Sequence, residues 1–228
     1  MIFATKPSRR ETIWGGIYLG LYMTVLPWLV PVLALLISRD LDVAQVNFVY
    51  FCVNFAAVTV IFRKFLIQSA KDALRVPSRT LWYALLGHLG NSLLSGLVVT
   101  AILGIYPEFM NVNDTAINAM VVQNRPLMFL GAVILAPITE ELLFRGLIFR
   151  GLYDRSPLAA QLLTMALFSL IHVSGYVGMY EWKMLFFCFI QYLPAAYCLN
   201  FAYRYSGTIL SPILMHMLAN LAAFSAMR

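Results

Sequence analysis

Seven apolar runs divide this chain, and each is long enough for a helix to cross a lipid bilayer. A helix needs roughly 20 apolar residues to cross ~30 Å of hydrocarbon. The apolar and polar alternation of a β-barrel is absent, so helices must satisfy the backbone hydrogen bonds in lipid. We therefore expect an all-α, polytopic transmembrane helical bundle of about seven helices. The runs lie near residues 13–37, 46–67, 80–105, 126–152, 157–176, 183–203 and 207–226.

Composition excludes the soluble classes of protein. Hydrophobic residues make up 61% of the 228 residues and charged residues 11%, whereas a soluble domain is about 25% charged. A soluble enzyme, a nucleic-acid-binding domain and a disordered chain are therefore excluded. The net charge of +6 reports topology rather than a nucleic-acid partner. We expect residues 1–228 to form a single membrane domain.

The basic residues predict the orientation of the bundle. Eleven Lys and Arg fall on the side of the N-terminus and four on the other side. Because cytoplasmic loops carry the excess of Lys and Arg, the N-terminus is predicted to be cytoplasmic and the C-terminus outside. The eleven are Lys6, Arg9, Arg10, Arg63, Lys64, Lys71, Arg75, Arg79, Arg150, Arg155 and Arg204.

The fourth apolar run carries charges that need an explanation. Glu140, Glu141 and Arg145 lie well inside it, and each charge costs at least ~2.5–3.5 kcal/mol on insertion scales. Glu141 and Arg145 are one helical turn apart, which predicts a neutralising pair. Glu140 lies about 100° further round the helix and has no local partner. We therefore expect Glu140 to have a functional role.

Two later runs add imidazole and amide groups at interior depths. Phe168 and His172 are four residues apart in the fifth run, as are His216 and Asn220 in the seventh. Glu140 is a candidate general base for water, and a His with an Asn can stabilise an oxyanion. There is no HExxH motif, no Asp pair and no Ser nucleophile constellation. Two His and one Glu can also hold zinc with an open position, so the residues alone leave a metal open.

Three short motifs in order carry a family resemblance. They are EExxxR from Glu140 to Arg145, FxxxH from Phe168 to His172, and HxxxN from His216 to Asn220. Together they resemble the CAAX prenyl protease type II and bacteriocin-processing family, the CPBP or Abi intramembrane proteases. The resemblance covers residues 126–226, expected to be the protease core. Residues 1–125, with the first three runs, are expected to be N-terminal accessory spans.

The resemblance implies a role for each motif residue. Glu140 matches the family's water-activating glutamate, and His172 assists it. His216 and Asn220 match the pair that stabilises the oxyanion. The remaining motif positions imply support and orientation of these groups, or packing of the site wall. Those supporting residues are Glu141, Arg145 and Phe168.

The resemblance also bears on cofactors. The family was long described as metalloproteases, while its eukaryotic prenyl-protease branch resembles a glutamate-dependent, metal-free protease. We favour a metal-free site without a cofactor, because Glu and His both have roles without zinc. The zinc alternative has Glu140, His172 and His216 as ligands.

The implied activity is that of an intramembrane endopeptidase. Its partners would be membrane lipids and a peptide or lipidated-peptide substrate, which is a CAAX-type tail, a leader or a signalling peptide. The short chain resembles the prokaryotic branch, which implies the bacterial cell membrane. We expect cytoplasmic access to the site. The sequence does not give the oligomeric state. Two alternatives are a non-catalytic peptide-binding or bacteriocin immunity protein, and a small transporter, although no repeated halves are seen.

Overall fold

The computed structural model describes residue 3 and residues 5–227, and these residues form a bundle of ten helices without a strand. The bounds, numbered in chain order, are α1 Arg9–Thr24, α2 Leu26–Ile37, α3 Val43–Ile61, α4 Arg63–Arg75, α5 Pro77–Ile105, α6 Val112–Gln123, α7 Arg125–Tyr153, α8 Pro157–Ser174, α9 Trp182–Ser206 and α10 Leu210–Ala226.

The apolar helices confirm the all-α polytopic prediction. By length and composition α3, α5, α7, α8 and α9 can each cross a membrane. The pair α1 and α2, bent by 72°, counts as a sixth span if the two helices are one broken span. The seventh predicted run corresponds to α10, a shorter apolar helix of 17 residues. The structure therefore has up to six long spans and one short apolar helix where the sequence predicted about seven spans. The functional division at residue 125 stays a prediction.

The bend in the first span lies beside two prolines. The helix α1 ends at Thr24 and α2 begins at Leu26, with Pro27 in the first turn of α2 and Pro31 inside it. Proline has no N–H to donate and clashes with the preceding turn, so regular helix is interrupted here. The bend tilts α2 away from the line of α1.

The motif helix α7 departs from regular α-helical geometry on both sides of the acidic pair. Segments Phe129–Leu135 and Leu142–Phe149 are π-helical, and Ala136–Glu141 between them is α-helical. The N–H of Ala136 donates to the carbonyl of Gly131, five residues back. Pro137 lacks the N–H that α-helical bonding needs, which favours this wider turn. Wide turns inside α-helices are frequent at functional sites.

Helix α7 lies in the centre of the bundle. All eight residues of Leu142–Phe149 are buried, and the apolar core gathers around them. Gly131 on α7 faces the ring of Phe51 on α3 so closely that a Cβ atom would clash with it. The absence of a side chain therefore lets α3 pack against α7. This central position surrounds the charged motif with protein rather than lipid.

Polar contacts tie the helix ends together at one face of the bundle, which we call the basic face. The carboxylate of Glu11 accepts a hydrogen bond from the N–H of Phe65 at 2.8 Å, which joins α1 to α4. The hydroxyls of Thr80 and Thr208 lie 3.2 Å apart and join the start of α5 to the start of α10. The ring of Phe3 packs edge-on against that of Phe149.

The opposite face, which we call the α6 face, has its own polar contacts. The amide of Asn111 donates to Gln191 at 3.0 Å, which joins the start of α6 to α9. Arg125 at the start of α7 donates to the carbonyl of Met227 at 2.9 Å. The ends of α2, α8 and α10 lie at this face because successive spans alternate in direction. The two faces are therefore chemically distinct ends of one bundle.

Candidate active site

One internal cavity brings together the side chains that the sequence predicts to be catalytic. Its volume is about 530 Å³, and its walls come from α1, α2, α3, α6, α7, α8, α9 and α10. The three motif helices α7, α8 and α10 each contribute to it. The predicted catalytic residues in its wall are Glu140, His172, His216 and Asn220.

The predicted ion pair of α7 is present and completely buried. Nη1 of Arg145 lies 3.1 Å from Oε1 of Glu141, and neither side chain is exposed. Nε of Arg145 donates to Asn200 and Nη2 to the carbonyl of Ala196, each at 3.1 Å. The guanidinium also lies over the ring of Phe168, 4.5 Å from its centroid. A buried charge is tolerated when it is paired and its remaining donors are satisfied in this way.

Glu141 also fixes the orientation of His216. Nδ1 of His216 lies 2.8 Å from Oε1 of Glu141. Since an ionised carboxylate can only accept, Nδ1 of the imidazole carries the proton. The other ring nitrogen, Nε2, then faces Oε2 of Glu140 at 3.9 Å. One carboxylate therefore neutralises Arg145 and sets the imidazole toward the second carboxylate.

Glu140 differs from its neighbour in having no fixed partner. Its side chain is 11% exposed, and its Oε2 atom is buried without a hydrogen bond to any described residue. Arg145 already balances the charge of Glu141, so the nearest group that can balance Glu140 is His216. A carboxylate in this position can accept a proton from a molecule in the cavity.

His172 lines the same cavity and contacts two aromatic rings. Its Nδ1 atom is 2.7 Å from the carbonyl oxygen of Phe168, so Nδ1 donates and Nε2 of the neutral ring has a free lone pair. Its ring centroid lies 4.7 Å from that of Phe168 and 4.2 Å from that of Tyr192. Among the described residues no ion pair joins His172 to Glu140. His172 therefore faces the same cavity without touching the predicted base.

Asn220 joins the last helix to the motif helix. Its Nδ2 atom donates to the carbonyl oxygen of Ala132 on α7 at 2.8 Å. An amide NH₂ has two donors, so one N–H remains for the cavity. This hydrogen bond places the amide one turn along α10 from His216.

The zinc ligand set named as the alternative is not gathered around one point, and the use of a metal stays untested. Over the part of the chain that the structure describes, no group of three or more His, Cys, Asp or Glu side chains is arranged to hold a metal ion. Nδ1 of His172 and Nδ1 of His216 are each bonded to an oxygen of the protein. Glu140, His172 and His216 therefore share a cavity without converging on one point.

The cavity leads away from the basic face and toward the α6 face, and the expected cytoplasmic access stays a prediction. From Glu140 it runs to Asp114 and Tyr176 near the α6 face, and to Trp28 and Val43 where α2 and α3 meet. Trp28 and Val43 are more than half exposed, so the cavity reaches the surface there. On the basic-face side the π-helical half of α7 is fully packed. If the N-terminus is cytoplasmic, entry is from the outer side or from the lipid.

Two residues near the site carried no clear functional signal in the sequence. Asn200 belongs to none of the three motifs, and it ties helices together through Arg145 on α7 and the carbonyl of Gln161 on α8. Tyr192 is one of 12 tyrosines, and nothing in its sequence neighbourhood distinguishes it. Its contact with His172 depends on the packing of α9 against α8.

A helical membrane bundle with a buried carboxylate, two imidazoles and an amide around one cavity defines a candidate intramembrane hydrolase. The family model described as Rce1-like, type II CAAX prenyl endopeptidase, matches residues 122–222. That range holds all three motifs, and the match supports the CPBP or CAAX protease family. The family indicates a protease and, in general terms, a CAAX-type intramembrane endopeptidase. No curated protein and no solved structure matches the chain.

Proposed function

We propose that this integral membrane protein is an intramembrane endopeptidase that hydrolyses a membrane-associated peptide with water activated by Glu140. The observation that carries the proposal is the arrangement of Glu140 and His216. An oxygen of Glu140 without a partner faces Nε2 of His216 at 3.9 Å. The other nitrogen of that imidazole is fixed by Glu141. One water molecule can hydrogen-bond to both groups at this separation.

The proposed reaction begins with proton transfer from water to Glu140. The resulting hydroxide attacks the carbonyl carbon of the scissile peptide bond, and the carbonyl oxygen becomes an oxyanion. Asn220 donates its free N–H to that oxygen, and Nε2 of His216 donates when the ring carries a second proton. The C–N bond then breaks, and the proton held by Glu140 passes to the leaving nitrogen.

His172 assists the transfer of this proton. Because its Nδ1 donates to the carbonyl of Phe168, its Nε2 is the acceptor that faces the cavity. A water molecule or the leaving amine can connect this nitrogen to Glu140. Arg145 and Phe168 act on the site only through Glu141 and the two imidazoles that they contact.

The cavity favours an apolar segment that enters from the bilayer. Its walls toward α2 and α3 include Trp28, Pro31 and Phe51, and Trp28 has 62% of its surface exposed. Apolar and aromatic walls with a few polar groups are typical of sites that bind apolar ligands. We propose a CAAX-type tail, a leader or a signalling peptide as substrate. The proposed location is the bacterial cell membrane, with the N-terminus cytoplasmic.

The proposed mechanism needs no metal or cofactor. Glu140 supplies the base, and His216 with Asn220 supplies the donors for the oxyanion, so each chemical role has a protein group. The zinc alternative would need Glu140, His172 and His216 to converge on one ion.

The experiment that tests the proposal is peptide cleavage followed by mass spectrometry. The purified protein in detergent is incubated with a peptide pool that includes a farnesylated CAAX peptide. Glu140→Ala is run in parallel, with the exposed Glu181→Ala as the matched control. We expect discrete fragments from the parent and from Glu181→Ala, and none from Glu140→Ala. Equal fragments from all three would contradict the mechanism, and binding without fragments would favour the peptide-binding or immunity alternative.

A further inference from the structure

Tyr192 lines the cavity and contacts both the start of α6 and the imidazole of His172. Its ring stacks on that of His172, with 4.2 Å between centroids and 26° between planes. The ring of Phe168 also contacts His172, with 4.7 Å between centroids and 50° between planes. The imidazole therefore contacts two rings, of which one belongs to its own helix and one to α9.

The hydroxyl of Tyr192 is fixed by the start of α6. It accepts a hydrogen bond from Nδ2 of Asn113 at 3.0 Å. It lies 3.1 Å from Oδ1 of Asp114 and 3.3 Å from Oδ1 of Asn111, either of which can accept its proton. Three polar groups of one short segment therefore set the position of one ring.

The same segment is rigid for a local reason. Asn111 is the N-cap of α6, and its Oδ1 accepts from the backbone N–H groups of Asn113 and Asp114 at 3.0 and 3.1 Å. N-cap side chains of this kind fix the first turn of a helix. The cap, the first turn of α6, Tyr192 and His172 are thus joined by direct contacts.

We propose that Tyr192 is a positioning residue that holds the imidazole of His172 in its productive orientation and links it to α6. The inference rests on the proposed function, in which Nε2 of His172 must face the cavity. The imidazole can rotate about its Cβ–Cγ bond, and one hydrogen bond, from Nδ1 to the carbonyl of Phe168, opposes that rotation. Stacking on Tyr192 removes that rotation. Small errors in the placement of a reacting group are costly, about 100-fold in rate for 1 Å.

Two substitutions distinguish the contribution of the Tyr192 ring from that of its hydroxyl. Tyr192→Leu removes the stacked ring, and Tyr192→Phe keeps the ring while it removes the hydrogen bonds to α6. The exposed Tyr197 on the same helix provides matched controls, Tyr197→Leu and Tyr197→Phe. We expect Tyr192→Leu to lower kcat by about 10- to 100-fold with little change in KM, and Tyr192→Phe to have a smaller effect.

Nuclear magnetic resonance of ¹⁵N-labelled histidine reports the state of the His172 imidazole without a cleaved peptide. The chain has three histidines, so single His→Gln variants assign each signal, and His88, outside the cavity wall, is an internal reference. The ¹⁵N shifts of the two ring nitrogens show which of them carries the proton, whether or not an aromatic ring lies beside the imidazole. We expect Nδ1 of His172 to carry the proton in the parent and in Tyr192→Phe, and this single state to be lost in Tyr192→Leu.

The kinetics and the spectra together test this proposal separately from the proposed function. An unchanged His172 signal in Tyr192→Leu would overturn it whether or not a cleaved peptide is known. A kcat for Tyr192→Leu equal to that of Tyr197→Leu, with the His172 signal moved, would also overturn it. Full activity of Glu140→Ala would instead overturn the proposed function, and the spectra would still decide whether Tyr192 positions His172.

Discussion

Nε2 of His216 lies 3.9 Å from Oε2 of Glu140, which is too long for a direct hydrogen bond and short enough for one water to contact both. The distance follows from the contacts behind the two side chains. Glu141 holds the far side of the imidazole, and Arg145 holds Glu141. The adjacent carboxylates of α7 thus have different partners. Glu140 lines the cavity and Glu141 does not, although each has one buried oxygen that no described residue binds.

Substitution of Arg145 tests whether its buried ion pair with Glu141 stabilises the fold around the site. Arg145→Met leaves the buried carboxylate of Glu141 without its charge partner, and breaking such a pair costs about 3–5 kcal/mol. The matched control is Arg75→Met. Its guanidinium is exposed and lies 3.6 Å from Asp72, and exposed pairs contribute less than about 1 kcal/mol. Chemical unfolding in detergent should show a large loss of stability for the first variant alone. Equal losses would mean that the buried pair does not stabilise the fold.

Asn220→Ala tests the proposed oxyanion donor. Loss of one donor of this kind lowers kcat by about 100- to 1000-fold, and KM should change little because the oxyanion forms only in the transition state. The control is Asn91→Ala, since Asn91 bonds to Ser95 on its own helix. Steady-state kinetics on a cleaved peptide separates kcat from KM. A raised KM with unchanged kcat would assign Asn220 to substrate binding instead.

An ion pair at the end of α7 predicts a pH-dependent stability. Arg150 beside Asp154, at 2.8 Å, holds the pKa of that carboxyl below its ordinary value. The folded protein therefore binds this proton less readily than the unfolded chain does. The stabilisation is present above the unfolded pKa of about 3.9 and is lost as the pH falls through the folded pKa.

The measurement is thermal unfolding of Asp154→Asn and the parent between pH 7 and pH 3. The variant should be slightly less stable at pH 7, because the Asp154 side chain is 60% exposed, and the gap should close at the acid end. Asp40→Asn, an exposed position between α2 and α3, is the control. A gap that widens on acidification would reverse the predicted sign.

Metal removal tests the proposed metal-free mechanism. We expect the cleavage rate to be unchanged by 1,10-phenanthroline, since the proposed roles of Glu140, His216 and Asn220 need no ion. A zinc endopeptidase in the same assay checks that the chelator works in detergent. Loss of activity that added zinc restores would support the alternative ligand set of Glu140, His172 and His216.

Much of the fold could be predicted from the sequence, because apolar run length alone identifies spans. The 72° break between α1 and α2 agrees with the prolines that follow it. The π-helical halves of α7 were not predicted, since they depend on packing against α3 and α8 as well as on Pro137. The opening of the cavity toward the α6 face was not predicted. The depth of Glu140 along α7 does not show at which end of the bundle the neighbouring helices separate to form an opening.

The site was predicted in its residue types and only partly in its contacts. The spacing of Glu141 and Arg145 indicated their pair, because both lie on one helix. The bond from His216 to Glu141 joins residues 75 apart and needs the register of α10 against α7. Tyr192 could not be found, because stacking on His172 depends on how α8 and α9 face each other.

The most direct test of the central claim is the single-turnover rate of peptide cleavage by Glu140→Gln. The amide keeps the shape of the carboxyl group but cannot take a proton from water. We predict a rate about 100- to 10,000-fold below the parent, with peptide binding retained and with Glu181→Gln at the parent rate. A Glu140→Gln rate within about twofold of the parent, a difference well under 1 kcal/mol in barrier, would contradict the account.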